Sequence, residues 1–399
     1  MSLDLYLVSH QVAQMASRLR ADKQERHHRL EVALETLETQ SPRWRELEEK
    51  RQASKGRLAF SGPAGLIAGL GEAYDAPNPP SDYAVLASDG SHIDVDRNAP
   101  ASCYLINIGT VKLEYGAHPQ ASLSNSPRLA FQEDRAIVAP QGSDQEPLQG
   151  AVLAAQRTVE ECRALADLSQ STPTPALGLL DGSLILWGLA GQEYDGPRRF
   201  VRDALLSRGL VPALDELARR EGLALASYIS LPGAAEVVNT LRLGLCPLEP
   251  ANCDRCRKER GVQECQAISG VLDRHLFGEW LEPGQRSALF LSPSRIVQDY
   301  YGPHRVAFFY LRLEEEVARV EVPLWVEERG LLGLVHSLLL EQCRLGMGYP
   351  VALSEAHEQA VLTTADREAF WALVSREMSG QGLEVGTSAK SLSKRRRWL

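Results

Sequence analysis

Two apolar runs of this chain end in the same three residues, Asp-Gly-Ser. The first run, AVLAS, leads to Asp89, and the second run, LGLL, leads to Asp181. Short apolar runs that stop at turn residues are typical of buried β-strands, so each aspartate is predicted at the end of a strand. If the two strands are neighbours, the carboxylates repel one another until a divalent cation binds between them. The alternative is a plain turn, since Asp and Gly both favour turns.

Strand and helix patterns alternate along the rest of the chain. Gly109 indicates a bend or bulge within one or two strands predicted at 103–115. The other predicted strands lie at 224–230, 305–311, 317–322 and 349–353. The predicted helices lie at 5–56 (two helices with a hinge near Ser41-Pro42), 147–168, 200–222, 235–244, 331–345 and 355–362. This order predicts an α/β or α+β fold with an N-terminal helical extension, rather than a bundle or barrel.

Composition restricts the class of protein only loosely. The chain has 399 residues and a net charge of −9, which argues against a general polyanion binder. Two basic clusters still offer local phosphate-binding charge. They are Arg255, Arg257, Lys258 and Arg260, and the tail residues Lys390, Lys394, Arg395, Arg396 and Arg397. No apolar run is long enough to span a membrane and the N-terminus does not resemble a signal peptide, so a cytoplasmic protein is expected.

Several segments resemble the NurA nuclease domain in their order. They include SDGSHIDVDRNAP, GLLDGSLILWGL, SYISLPGAAEVVNTLR, FFYLRLEEEVARVEVPLW and GYPVALSEAHEQAV, and the resemblance covers roughly residues 80–375. It implies a ribonuclease-H-like mixed sheet flanked by helices and a homodimer. The implied activity is Mn²⁺-dependent (or Mg²⁺-dependent) cleavage of DNA, as a 5′-to-3′ exonuclease and single-strand endonuclease. The implied partner is HerA, a hexameric ATPase that acts in the resection of DNA double-strand break ends.

The resemblance also implies a set of metal ligands. Asp89 and Asp181 would be the principal ligands, joined by a glutamate on the helix that precedes the second aspartate. Both Glu160 and Glu161 qualify in RTVEECRALADL, and helical phase does not separate them. We favour Glu160.

Three further site residues are predicted near the end of the domain. By the same resemblance, Tyr349 would bind a phosphate oxygen, and His357 would ligate metal or transfer a proton. Arg319 and Glu321 alternate with apolar residues, so they share one strand face. They form either a surface ion-pair face or, for Arg319, a phosphate contact.

Four of the seven cysteines lie within twenty residues. They have the spacing C-x6-C-x2-C-x8-C and are Cys246, Cys253, Cys256 and Cys265. Four thiolates around a central CxxC suit tetrahedral Zn²⁺, with an iron–sulfur cluster as the second choice. The alternatives are four unrelated thiols or a redox pair.

The chain is therefore divided into three predicted regions. An N-terminal helical region at 1–75 would serve packing or dimerisation, and the nuclease domain would occupy 80–375 with a cysteine insertion at 246–265. A basic tail at 376–399 would be solvated, or would bind DNA or the ATPase. The sequence has no G-x-x-x-x-G-K-[ST] motif, so any ATP-driven movement must come from a partner. The rival functions are an inactive subunit that only loads the ATPase and a sugar or acetate kinase on a similar core.

Overall fold

The computed structural model describes most of the chain. The described residues are 3–60, 62–95, 101–131, 134, 136–139, 144–196, 198–259 and 263–383. Arg260 and the predicted basic residues at 390–397 lie outside them. Among the described helices, none is both long and apolar enough to cross a membrane.

The structure contains helices and strands in mixed order, as the sequence predicts, with exceptions that are given below. The helices are α1 Leu5–Gln40, α2 Trp44–Ala53, α3 Gly150–Ser169, α4 Arg199–Arg202, α5 Val211–Arg219, α6 Glu236–Leu245, α7 Cys253–Glu259, α8 Asp273–Trp280, α9 Arg295–Tyr300, α10 Trp325–Glu328, α11 Leu332–Leu345, α12 Val351–Ala360 and α13 Thr364–Gly380. The strands are β1 Gly65–Leu66, β2 Ala73–Tyr74, β3 Tyr83–Ile93, β4 Cys103–Tyr115, β5 Gln120–Phe131, β6 Ala136–Val138, β7 Gln145–Pro147, β8 Ala176–Asp181, β9 Leu223–Ile229, β10 Arg286–Ser287, β11 Phe290–Leu291, β12 Val306–Arg312 and β13 Val317–Pro323. A π-helical segment, Asp203–Leu210, joins α4 to α5.

Residue contacts divide the chain into two compact units. The first unit comprises the described parts of Met1–Ala76, Ile229–Ser294 and Ala307–Val320. The second comprises those of Pro77–Tyr228, Arg295–Val306 and Glu321–Leu399. The N-terminal helices therefore share a unit with segments from the middle of the chain.

A mixed sheet forms the centre of the second unit. Its strands lie in the order β9-β8-β3-β4-β5, with β3, β8 and β9 parallel and the β3–β4 and β4–β5 pairs antiparallel. Numbered along the chain, this is the order 3-2-1-4-5 with an antiparallel second strand, the arrangement of a ribonuclease-H-like core. The predicted fold class, a mixed α/β sheet flanked by helices with an N-terminal helical region, is confirmed.

Helices cover the two faces of β3. Successive side chains of a strand point to opposite faces. The Ser88 hydroxyl donates to the carbonyl of Glu161 on α3 over 2.8 Å, whereas the Ser91 hydroxyl donates to the carbonyl of Ala360 at the end of α12. The amide of Asn107 on β4 donates to the same Ala360 carbonyl over 2.9 Å. Buried polar side chains therefore fix α3 on one face and α12 on the other.

Gly109 lies within a regular strand, so the predicted bend or bulge is wrong. It pairs with Asp89 of β3 and with Asn125 of β5 in unbroken antiparallel register. A Cβ atom built there would lie 2.3 Å from the carbonyl oxygen of Ala356 on α12. Glycine is needed at this position because the helix lies directly on the strand.

The predicted strand at 349–353 is also wrong, because α12 begins at Val351 with Pro350 as its N-cap. Ala352, Ala356 and Ala360 are fully buried. They recur every fourth residue, so the apolar run that resembles a strand is one face of a helix. Tyr349 consequently lies in the turn before a helix.

The first unit has its own apolar core. It includes Leu37 of α1, Val238 of α6, Phe277 of α8 and Phe290 of β11, all at most 1% exposed. Asp273, fully buried, accepts hydrogen bonds from the backbone of α6 and from the Tyr310 hydroxyl over 2.7 Å. Because its hydrogen bonds are made, the buried Asp273 carboxylate holds the start of α6 against α8 and β12.

Candidate active site

The two Asp-Gly-Ser aspartates lie on adjacent parallel strands. Ser88 of β3 is the register partner of Leu180 of β8, so Asp89 and Asp181, the next residues, stand side by side. Asp181 ends its strand as predicted, whereas β3 continues to Ile93 and places Asp89 inside a strand. The regular pleat on both strands directs the two side chains to the same face.

Asp89 is held by two donors. Its Oδ1 accepts a hydrogen bond of 2.7 Å from the Gly90 backbone, and its Oδ2 lies 2.8 Å from Nδ1 of His357. A carboxylate only accepts hydrogen bonds, so Nδ1 carries the proton and Nε2 is the basic nitrogen of the ring. The His357 side chain is 61% exposed, which leaves it accessible to a substrate.

Asp181 is held by Tyr349, whose hydroxyl donates to Oδ1 over 3.0 Å. The Tyr349 ring packs edge-on against Tyr228 of β9 with 5.5 Å between centroids, which fixes its orientation. Desolvation, with nearby Asp89, raises the pKa of Asp181 although the Tyr349 hydrogen bond opposes the rise. Desolvation and Asp181 raise the pKa of Tyr349 as well, so its hydroxyl stays protonated and remains a donor.

The structure distinguishes the two candidate glutamates on α3. The Glu160 carboxylate binds Gln156 over 2.6 Å and lies 3.2 and 3.3 Å from Arg128 and Arg163. Glu161 is 4% exposed and faces the sheet. The geometry therefore favours Glu161 over Glu160, the residue preferred from the sequence, as the third carboxylate of the site.

Glu161 packs directly against Gly90, the residue after Asp89, because Gly90 has no side chain. A Cβ atom at Gly90 would lie 2.7 Å from Oε1 of Glu161. Burial raises the Glu161 pKa to about 8, with further contributions from Asp89 and Asp181 and opposition from Arg157. Arg157 Nε lies 3.0 Å from Oε1, but the angles do not make a hydrogen bond, and that oxygen is buried with no hydrogen-bond partner.

These carboxylates fit a divalent cation by their chemistry. Hard oxygen donors suit Mn²⁺ and Mg²⁺. A cation would satisfy the buried Glu161 oxygen and offset the burial and the repulsion that together raise the pKa values of Glu161 and Asp181. Among the described residues, no group of three or more His, Cys, Asp or Glu is arranged to hold a metal as it stands.

Arg319 is buried within the first unit. It is 3% exposed, makes a close ion pair with Glu236 and lies 3.6 Å from the ring centroid of Phe308. Glu321 is 1% exposed and accepts hydrogen bonds from the Ser183 hydroxyl and the Leu184 backbone. Burial of both excludes a surface ion-pair face.

Residues that position the site were missed from the sequence. Ser88 anchors α3 beside Glu161, and Ser91 and Asn107 anchor the end of α12, which carries His357. A signal was present in Asn107, a polar residue in the apolar run YLINIG. Arg157 gave no such signal, because a charged helix residue is ordinarily solvated.

A protein-family model matches most of the chain. The family model described as the NurA domain matches residues 83–362. Comparison with curated protein sequences found no match.

Two solved structures show weak likeness. LC9-RNase H1, a type 1 RNase H with the type 2 active-site motif, is 15% identical, with coverage of 43% of this chain and 72% of that chain and a TM-score of 0.20. Drosophila Piwi is 10% identical, with coverage of 69% of this chain and 28% of that chain and a TM-score of 0.25. Both TM-scores are too low for either structure to indicate the function of this chain.

Proposed function

The chain belongs to the NurA domain family, and from this premise we propose that it is a nuclease that hydrolyses DNA with a divalent metal, Mn²⁺ or Mg²⁺. The observation that carries the proposal is that Asp89 and Asp181 stand side by side on adjacent parallel strands. Glu161 is buried nearby, and both aspartates add to the rise of its pKa that burial causes. Three carboxylates beside one another are costly for a fold unless they bind a cation. Such a site suits substrates whose reacting group is a phosphodiester.

Each residue of the site has a separate task in this proposal. Asp89, Asp181 and Glu161 would hold the metal. A bound divalent cation supplies the positive charge that activates water and stabilises the leaving oxygen of a phosphodiester. His357, fixed through Nδ1 by Asp89, offers Nε2 to take up or return a proton at the reacting oxygens. Tyr349, kept protonated, donates its hydroxyl hydrogen to Asp181 or to a non-bridging phosphate oxygen.

The proposal predicts cleavage of DNA only when a suitable divalent metal is present. Purified protein is incubated with linear and circular single-stranded DNA and with linear duplex, in Mn²⁺, Mg²⁺ or EDTA. We expect cleavage with Mn²⁺ or Mg²⁺ and none in EDTA, because the carboxylates alone supply no positive charge. Release of short products from a 5′ label indicates 5′-to-3′ exonuclease action, and opening of the circle indicates endonuclease action.

An Asp89→Asn protein from a parallel purification detects contaminating nucleases. Equal cleavage by the two proteins, or cleavage in EDTA, contradicts the proposal. Folded wild-type protein that cleaves none of these substrates with any metal also contradicts it, and favours a subunit that only loads or regulates an ATPase.

We further propose that the protein is a homodimer that acts with a HerA-type hexameric ATPase in the resection of DNA double-strand break ends. The family supports this assignment, and the chain's lack of a phosphate-binding ATPase motif is consistent with it. We expect the mass of a dimer by light scattering and a stable complex with the purified ATPase in gel filtration. A monomer at micromolar concentration, or separate elution of the two proteins, contradicts this assignment.

A further inference from the structure

The four clustered cysteines lie around one cavity of the first unit. Cys246 follows α6, Cys253 and Cys256 lie on α7, and Cys265 lies in the 3₁₀ turn Glu264–Ile268. All four line a single cavity of about 140 Å³. None is in a disulfide. The four cysteines of the C-x6-C-x2-C-x8-C pattern therefore surround the same cavity.

Backbone contacts fix the segments that carry these cysteines. The Cys253 amide donates to the Arg57 carbonyl over 3.0 Å, and the Ala251 amide donates to the Ser54 hydroxyl over 2.9 Å. Arg242 Nε donates to the Cys265 carbonyl over 3.2 Å. The cavity is therefore held by the chain around it.

We propose that Cys246, Cys253, Cys256 and Cys265 bind one Zn²⁺ ion as a closed structural site. Four thiolates complete a tetrahedral shell and leave no open position for a substrate, so the site stabilises the 246–265 segment rather than catalysing a reaction. Binding forms four Zn–S bonds and releases the thiol protons to solvent, without an oxidant or reductant. This inference is independent of the proposed nuclease activity.

Cations around the cavity suit the charge of such a site. A Zn²⁺ ion with four thiolates carries two net negative charges. Arg242, 9% exposed, lies at the cavity wall with its guanidinium 4.1 Å from the ring centroid of Phe60. Lys50 binds the Cys246 carbonyl through its ammonium group. Positive groups and hydrogen-bond donors in the shell outside the ligands stabilise a thiolate site.

The arrangement favours zinc over unrelated thiols. The part of the chain that the structure describes holds no group of three ligands already set at metal-binding geometry, the four cysteines included. The thiols are nevertheless gathered around one cavity, whose lining includes all four cysteines. Thiols brought together in this way are expected to lose their protons to a metal.

Metal analysis of the full-length protein tests the proposal. The protein is purified without chelators from zinc-supplemented medium, and its metals are measured by mass spectrometry. We expect about one zinc per chain, released when a mercurial reagent modifies the thiols. Replacement by Co²⁺ should produce thiolate-to-cobalt charge-transfer absorption, which oxygen ligands at the carboxylate site do not give.

Matched variants separate this site from other thiols and from the catalytic metal. Cys256→Ser should lose the zinc, whereas Cys343→Ser, at a buried cysteine of the second unit, and Asp89→Asn should both retain it. Cys253→His, which keeps a ligand, should retain zinc if Cys256→Ser fails to fold. Wild-type protein with little zinc, a Cys253–Cys256 disulfide that forms reversibly, or iron with acid-labile sulfide overturns the proposal.

Discussion

Asp89→Asn and Asp181→Asn are each expected to lower kcat for DNA cleavage about a thousandfold, since metal-ion catalysis contributes several kcal/mol to the transition state. Each amide keeps the size of the side chain but removes the negative charge that attracts the cation. Asn also places an NH₂ group where an oxygen ligand is required. We expect saturating Mn²⁺ to restore little of the rate, because the position of the metal changes as well as its affinity. Initial rates on single-stranded DNA over a range of Mn²⁺ concentrations measure the effect.

The same substitutions, which lower activity, should leave the thermal stability of the metal-free protein unchanged or raise it. Asp89 contributes to the raised pKa values of both Glu161 and Asp181, so its charge is unfavourable in the metal-free fold. In EDTA we expect Asp89→Asn to unfold at a temperature equal to or above that of wild type. Asp299→Asn, on an exposed residue of α9, is the matched control and should change neither property. An Asp89→Asn protein that is destabilised and inactive points instead to a structural role.

Much of this site could be predicted because its residues stand at recurring positions of a pattern. An apolar run that delivers Asp-Gly-Ser occurs twice, and the sheet places the two aspartates on adjacent parallel strands. Parallel pairing depends on contacts far apart in sequence, so the pattern gives the residues but not their register. The family resemblance supplied that pairing, together with Tyr349 and His357.

The sequence pattern is insufficient where tertiary packing decides the outcome. Periodicity on α3 cannot separate Glu160 from Glu161, because adjacent residues of a helix differ by about 100° in direction. The choice depends on Gly90, which lies some seventy positions earlier and leaves space for Glu161. The strand β5 was missed because its side chains are almost all exposed, with a single buried residue, Ala130. A strand without a buried face lacks the alternation that sequence analysis detects.

For Arg319, strand periodicity identifies the strand but not the contacts of the side chain. The pattern correctly places it on a strand, but its ion-pair partner Glu236 lies 83 residues earlier. Its aromatic neighbour Phe308 lies on the preceding strand, β12. A buried arginine with an ion pair and an aromatic neighbour has the contacts that stabilise a core charge. Those contacts could not be inferred from VARVEVP alone.

Glu161→Gln is expected to remove the pH dependence that Glu161 gives to the stability of the metal-free protein. The folded-state pKa of Glu161 is raised from 4.5 to about 8, so between these values the folded state holds a proton that the unfolded state has lost. The contribution of Glu161 to the free energy of unfolding is therefore fully present below pH 4.5 and is lost as pH rises towards 8. In EDTA, wild type should weaken relative to Glu161→Gln by ~1 kcal/mol per pH unit over part of this range, a few kcal/mol in total.

With Mn²⁺ present, wild type should become more stable relative to Glu161→Gln as pH rises, which is the opposite of the trend in EDTA. The metal requires an ionised Glu161, so its binding strengthens as pH rises towards 8 and stabilises the folded wild type by mass action. Glu161→Gln lacks the charged ligand and should gain little from Mn²⁺ at any pH. Glu160→Gln is the matched control on the same helix, since it loses only ion pairs to the partly exposed Arg128 and Arg163, and should follow wild type in both conditions. Urea unfolding from pH 5 to 9, with EDTA or Mn²⁺, measures all three proteins. If Glu160→Gln loses the Mn²⁺ response and Glu161→Gln keeps it, the third ligand is Glu160.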